Sequence, residues 1–173
     1  MTEYRRPPIP LSPGAPLTPS RAHDQAFKRD RGHDAIQREV VAFLRRRSLC
    51  AIPKGAILHR TVEAEMPIYR RGQIIAFADA AEILTVNLTV TASMFEVKPK
   101  IHTTFGIIRQ AKTLLSLAKE TIPADFHLCH IVVPASDPLF PDLRAQIEDD
   151  PAAEEIRTWA WGAAFKDIEV AHD

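Results

Sequence analysis

The chain has little cysteine, little glycine and no long hydrophobic run. Cys50 and Cys129 are its two cysteines in 173 residues, with no CxxC or Cys/His ligand spacing. That excludes a disulfide scaffold and a structural zinc site. Six glycines, none in a phosphate-binding loop pattern, argue against nucleotide chemistry of the Gly-rich-loop type. Apolar runs are a few residues long, against the roughly 20 that a membrane-spanning helix needs. The first residues, Met1 to Arg6, are not followed by an apolar segment, so no secretory signal is expected. No membrane association and a cytoplasmic location are the corresponding expectations. Net charge is also absent, with 22 basic and 22 acidic side chains.

What is present is a sizeable apolar fraction, 46%, which suffices for the core of one domain of this length. The balanced charge is unevenly spread. Residues 1–72 carry 14 Lys/Arg against 7 Asp/Glu, whereas residues 125–173 carry 3 against 11. A basic front half suits a polyanionic partner, although the same pattern also serves solubility.

Six of the 14 prolines fall in residues 1–20, which reads as an extended tail open to a protein partner. Helical periodicity follows from about Ala22 to Ser48. Ile36, Val40 and Leu44 form one row, Val41 and Phe43 widen it, and Gly32 is a potential break. Pro53-Lys54-Gly55 signals a turn. Thr61 to Met66 alternates like a strand until Pro67, and Arg70-Arg71-Gly72 reads as a hairpin turn. Gln73 to Asp79 is a strand ending near a carboxylate, with Glu82 to Val86 as its continuation or a short successor. Thr89 to Lys98 is β-rich, and period two puts Glu96 and Lys98 on one face, Phe95 and Val97 on the other. A second helix, about Thr104 to Glu120, has Ile107, Ala111, Leu114 and Ala118 as its apolar row, with Ile108 and Leu115 beside it. Phe126 to Val133 is a short strand. Two further helices are expected around Pro138–Glu148 and Pro151–Phe165, with Trp159 and Trp161 as packing anchors. This order predicts an α/β domain with a mixed sheet. It divides into a tail, 1–20, a core, 21–135, and an acidic helical segment, 136–173.

The chemistry-bearing segment is Asp79 followed, with sixteen residues between, by Glu96-Val97-Lys98. Carboxylates on neighbouring strands can hold a hard divalent cation through oxygen. Such a cation polarises a phosphoryl oxygen and acidifies water, and a lysine on the same strand face can orient that water or stabilise developing charge. The bland alternative is a surface ion pair on an α/β interaction domain. Glu63, Glu65 and Glu82 are rival carboxylates, and the histidines show no metal-type spacing.

Phe95-Glu96-Val97-Lys98-Pro99, the upstream strand bearing Asp79, and Arg109-Gln110 on the next helix resemble the PD-(D/E)xK nuclease superfamily. That group includes RecB-type nucleases, Holliday-junction resolvases and many restriction endonucleases. The resemblance covers roughly residues 34–133, and Ala78 stands where the motif name has proline. It implies a restriction-endonuclease-like core, a central mixed β-sheet flanked by helices. It further implies a nuclease cutting DNA with Mg2+, for which Mn2+ substitutes. Asp79 and Glu96 would bind metal, with Glu39 on the first helix completing the site. Lys98 would assist the attacking water, and Gln110 matches a glutamine of RecB-like members. Around such a site Arg45, Arg46, Arg47, Lys100, His102 and Arg109 become candidates for phosphate contacts. A homodimer is compatible with this reading, as is RNA in place of DNA. The superfamily also contains members that keep the fold without catalysis, so a silent nucleic-acid-binding or assembly module is the alternative expectation.

Overall fold

A computed structural model describes residues 31–47, 56 and 58–162. The proline-rich tail, residues 22–30 and the Pro53-Lys54-Gly55 turn lie outside the described residues. The elements run α1 (Arg31–Arg46), β1 (Leu58–Arg70), β2 (Gln73–Val86), β3 (Thr89–Val97), α2 (Thr104–Thr121), β4 (Phe126–Pro134), α3 (Phe140–Glu148), a single 3-10 turn (Pro151–Ala153) and β5 (Ile156–Trp161). The five strands form one mixed sheet in the order β1-β2-β3-β4-β5. β1, β2 and β3 are successively antiparallel, while β3, β4 and β5 are parallel. This is the α/β class expected, a five-stranded mixed sheet flanked by helices. No helix among the described residues is long and apolar enough to cross a membrane.

Alternation along the central strands assigns the two faces. Phe95, Val97 and Val132 pack with Ile36, Val40, Val41 and Leu44 of α1 and with Trp159. Met94, Ile131 and Val133 pack instead with the buried row of α2 and with Leu143 and Ile147 of α3. Both periodic rows read from the sequence are thus the buried faces of their helices, each large side chain contributing on the order of 1.5–3 kcal/mol. Gly32 sits inside α1 and does not break it within the described residues.

Hairpin chemistry fixes the antiparallel half. Arg71 and Gly72 form the two-residue β1–β2 loop, both with positive φ (51° and 77°), the signature that matches the twist of paired strands. Asn87 (φ 56°) opens the equally short β2–β3 loop.

Three expectations need correction. β1 does not stop at Pro67, which pairs in register with Phe77. Because β1 is an edge strand, the missing N–H of Pro67 costs no central ladder bond. Asp79 is not at a strand end, since β2 runs seven residues further as one continuous strand. Finally, 136–173 is not a helical segment throughout. Among its described residues, 136–162, α-helix is confined to α3, and residues 151–161 of the segment expected as a second helix are the 3-10 turn and β5, the other edge of the sheet.

Candidate active site

The site forms where β3 parts from β2. Pairing between these strands reaches Ala80↔Phe95 and goes no further. At the next position the Asp79 side chain takes over from the ladder: its Oδ2 accepts the Val97 backbone N–H at 2.8 Å. Asp79 is buried, with 5% exposure. α1 reaches it twice, one helical turn apart. Gln37 Nε2 donates to the Asp79 carbonyl at 2.6 Å, and His33 Nε2 lies 3.2 Å from Asp79 Oδ2.

Glu96 and Lys98 share a face, as period two requires, and Lys98 Nζ meets Glu96 Oε1 at 2.6 Å. Phe95 and Val97, pointing the other way, are fully buried against α1. Lys98 itself is pinned by its backbone N–H to the Val132 carbonyl at 2.8 Å, extending the parallel pairing past the strand end. The Glu96 carboxyl is pushed above its usual range. Burial is the largest cause and the negative charge of Asp79 the next, with Lys98 and, more weakly, His33 opposing them.

A cavity of about 220 Å³ opens beside Glu96, walled by Ala76 and Phe77 of β2 and by Arg109, Gln110, Thr113, Leu114 and Leu117 of α2. Arg109 and Gln110 are thus brought to Glu96, as their place on the helix after the Glu-x-Lys strand implied. The loop between β3 and α2 is anchored by Asp137, which accepts the Ile101 N–H at 2.8 Å and the Leu139 N–H at 3.0 Å. Thr103 caps α2 by accepting from Gly106 N. Lys100 and His102 are exposed on this loop.

Other candidates go elsewhere. Glu39 is not brought to Asp79. It lies two residues beyond Gln37, about 200° round the helix, and its Oε2 accepts from Trp161 Nε1 at 3.0 Å. The α1 residues at the site are His33 and Gln37, whose i, i+4 spacing was the signal available in the sequence. The arginine triplet divides. Arg45 and Arg46 are exposed, donating to the carbonyls of Val62 and Ala42. Arg47 turns inward to Glu82, which is 2% exposed. The same carboxylate holds Arg60 Nε at 2.6 Å, and Arg60 also donates to the carbonyls of Leu44 and Arg47 at the end of α1. Glu82 is therefore a clip joining α1, β1 and β2, and Arg47 belongs to it. Of the remaining rivals, Glu63 is exposed. Glu65 occupies the β1 register position opposite Asp79, in a left-handed conformation (φ 50°).

Among the described residues no group of three or more His, Cys, Asp or Glu side chains is arranged to hold a metal ion. No protein-family model matches the chain, and no curated protein matches it significantly.

Proposed function

We propose that the chain is a metal-dependent nuclease hydrolysing phosphodiester bonds in DNA, built on a restriction-endonuclease-like core. The observation that carries the reading is the placement of Asp79 and Glu96 on neighbouring strands, with Asp79 Oδ2 bonded to the backbone N–H of Val97, the residue after Glu96. Burial and, next to it, the negative charge of Asp79 raise the affinity of the Glu96 carboxyl for a proton, and a divalent cation would relieve the second of these. The oxygen donors of the two carboxylates suit Mg2+, or Mn2+ in its place. Such an ion supplies Lewis-acid polarisation of a phosphoryl oxygen and a more acidic water. The protein's own groups do the rest. Asp79 is oriented by Val97 N–H, Gln37 and His33. Lys98, held against Glu96, orients the nucleophilic water and meets the negative charge that grows on the phosphoryl group. Arg109 and Gln110 border the cavity next to Glu96 and face the substrate backbone. A helix before the mixed sheet and a further helix, α2, after the Glu-x-Lys strand are the coarse order that the resemblance implies, and they support the reading.

A second reading, the catalytically silent module, is favoured by two observations. His33 already engages Asp79, and no three-donor metal cluster occurs among the described residues. Cleavage separates the two. With Mg2+ or Mn2+ the protein should cut DNA, and a chelator should stop it. Lys98→Ala should remove most of the rate and leave DNA binding largely intact, since one charge contributes little to a multi-phosphate contact. Asp79→Asn and Glu96→Gln should abolish cutting. A full rate in Glu96→Gln would overturn the site. Salt-dependent binding without cleavage of duplex, branched or single-stranded substrates, DNA or RNA, would establish the silent module instead.

A further inference from the structure

The segment from Val97 to Lys119 carries five Lys/Arg and no Asp/Glu. Three of these cations are occupied: Lys98 by Glu96, Lys112 by Asp150 and Lys119 by Glu155. Lys100 and Arg109 remain, and with His102 their side chains make no hydrogen bond or ion pair among the described residues. Phe105 stands between them, 74% exposed on the first turn of α2. Its ring contributes to neither core cluster, because the buried face of α2 is the Ile107, Ala111, Leu114, Ala118 row. Phe105 and Arg109 are i, i+4 neighbours on the outward face, and Arg109 borders the cavity at Glu96. Among the described residues, Leu88 and Phe126 are also more than half exposed and lie at the opposite end of β3 and β4, beside Asp125, while Leu58, Tyr69 and Ile75 on β1 and β2 are exposed to a lesser degree. An unsheltered aromatic ring bracketed by free cations therefore occurs at the site's end of the sheet.

We infer that Phe105 is a stacking platform for an unpaired base, with Lys100, His102 and Arg109 tracking the phosphates that lead to Glu96. The preferred ligand is then nucleic acid with a single-stranded stretch beside the scissile bond. A flush duplex keeps its base faces stacked internally and offers Phe105 nothing to cover. Charge complementarity selects a polyanion over an apolar protein surface, and the ring selects exposed bases over an uninterrupted backbone. This inference rests on the nuclease reading above and specifies its substrate class.

Fluorescence anisotropy in calcium, with a labelled oligothymidylate and a blunt duplex of equal length, tests it. Base–aromatic stacking is worth enough that Phe105→Ala should weaken single-strand binding roughly ten-fold and duplex binding by less than about two-fold. Phe105→Trp should retain single-strand affinity, and its indole fluorescence should be quenched as the oligonucleotide binds. Equal losses on both ligands, or none on either, overturn the stacking role alone, as does a wild type that binds duplex but no single strand. A wild type that binds neither form overturns this inference and the nuclease reading together.

Discussion

Replacing Glu82 with alanine takes away a carboxylate shared by two guanidinium groups. Glu82 is 2% exposed, and the side chains of Arg60 and Arg47 are 15% and 24% exposed, so neither cation can recover full hydration. Removing one partner of a buried charge pair costs about 3–5 kcal/mol, chiefly because the other charge is stranded. Two features place the expected loss at the lower end. Arg60 keeps the Leu44 and Arg47 carbonyls as acceptors, and the Arg47 guanidinium lies 5.8 Å from the centre of the Trp159 ring. Against that, Arg47 Nε already makes no hydrogen bond among the described residues, so its desolvation is uncompensated from the start. About 3 kcal/mol is the expected change, equivalent to a fall in Tm on the order of 10 °C for a chain of this size. Urea denaturation followed by circular dichroism, with a thermal melt alongside, measures it. Arg47→Met should cost less, because Glu82 retains Arg60. The double variant should depart from additivity by about 1–3 kcal/mol, as expected of residues in one network. A Glu82→Ala protein within about 1 kcal/mol of wild type, at unchanged m-value, would refute the clip.

Glu96→Gln should stabilise the metal-free protein at neutral pH. With the folded Glu96 pKa raised, the native state holds the proton more tightly than the unfolded chain. Its favourable contribution is complete below the unfolded value and is lost as pH rises through the folded one. Wild type should therefore lose stability with rising pH across that window, measured by thermal melts. Glu96→Gln should show a flatter profile, and equal slopes for the two proteins would contradict the assignment. Asp137→Ala leaves the buried N–H of Ile101 and the half-buried N–H of Leu139 without their acceptor. A loss of about 1–3 kcal/mol is expected, with greater mobility of the Lys98–Thr103 loop in amide relaxation. An unchanged loop would show that Asp137 is not its anchor.

Much of the helical half was legible because each helix has one wet face. The rows Ile36/Val40/Leu44 and Ile107/Ala111/Leu114/Ala118 carry the 3.6-residue signal undisturbed. The strands were harder wherever both faces are covered. β5 sends Ile156 into the α2 side of the core and Trp159 into the α1 side, so alternation vanishes and the segment reads as a helix. In β2, Ala78 to Glu82 are all buried, and the small residues there carry little strand propensity. Within the candidate site, the shared face of Glu96 and Lys98 was readable from period two, and Asp79, Arg109 and Gln110 were singled out by their order along the chain and the resemblance. Glu39 misled because sequence fixes which helix carries a residue but not the rotation at which that helix docks. That rotation presents His33 and Gln37 to Asp79 and leaves Glu39 to Trp161.

β1 and β2 outrun β3. From Gln73 to Asp79, β2 pairs with β1 alone, and the two strands form an arm beyond the point where the three-stranded ladder ends. A two-stranded ribbon has marginal stability by itself. This one leans on α2, through Ile68 and Ala76 in the core below it and an exposed Arg70–Glu120 pair at 3.5 Å near its tip. Such an arm can open locally while β3, β4 and β5 stay paired, in the manner of a low-stability unit that exchanges its amides before the rest. Asp79 is the last residue of the arm and Glu96 belongs to the rigid part, with the Asp79–Val97 bond as the joint between them. Where a continuous ladder would join Asp79 to β3, a single side-chain bond to Val97 does so instead, so local opening of the arm would bear first on that bond.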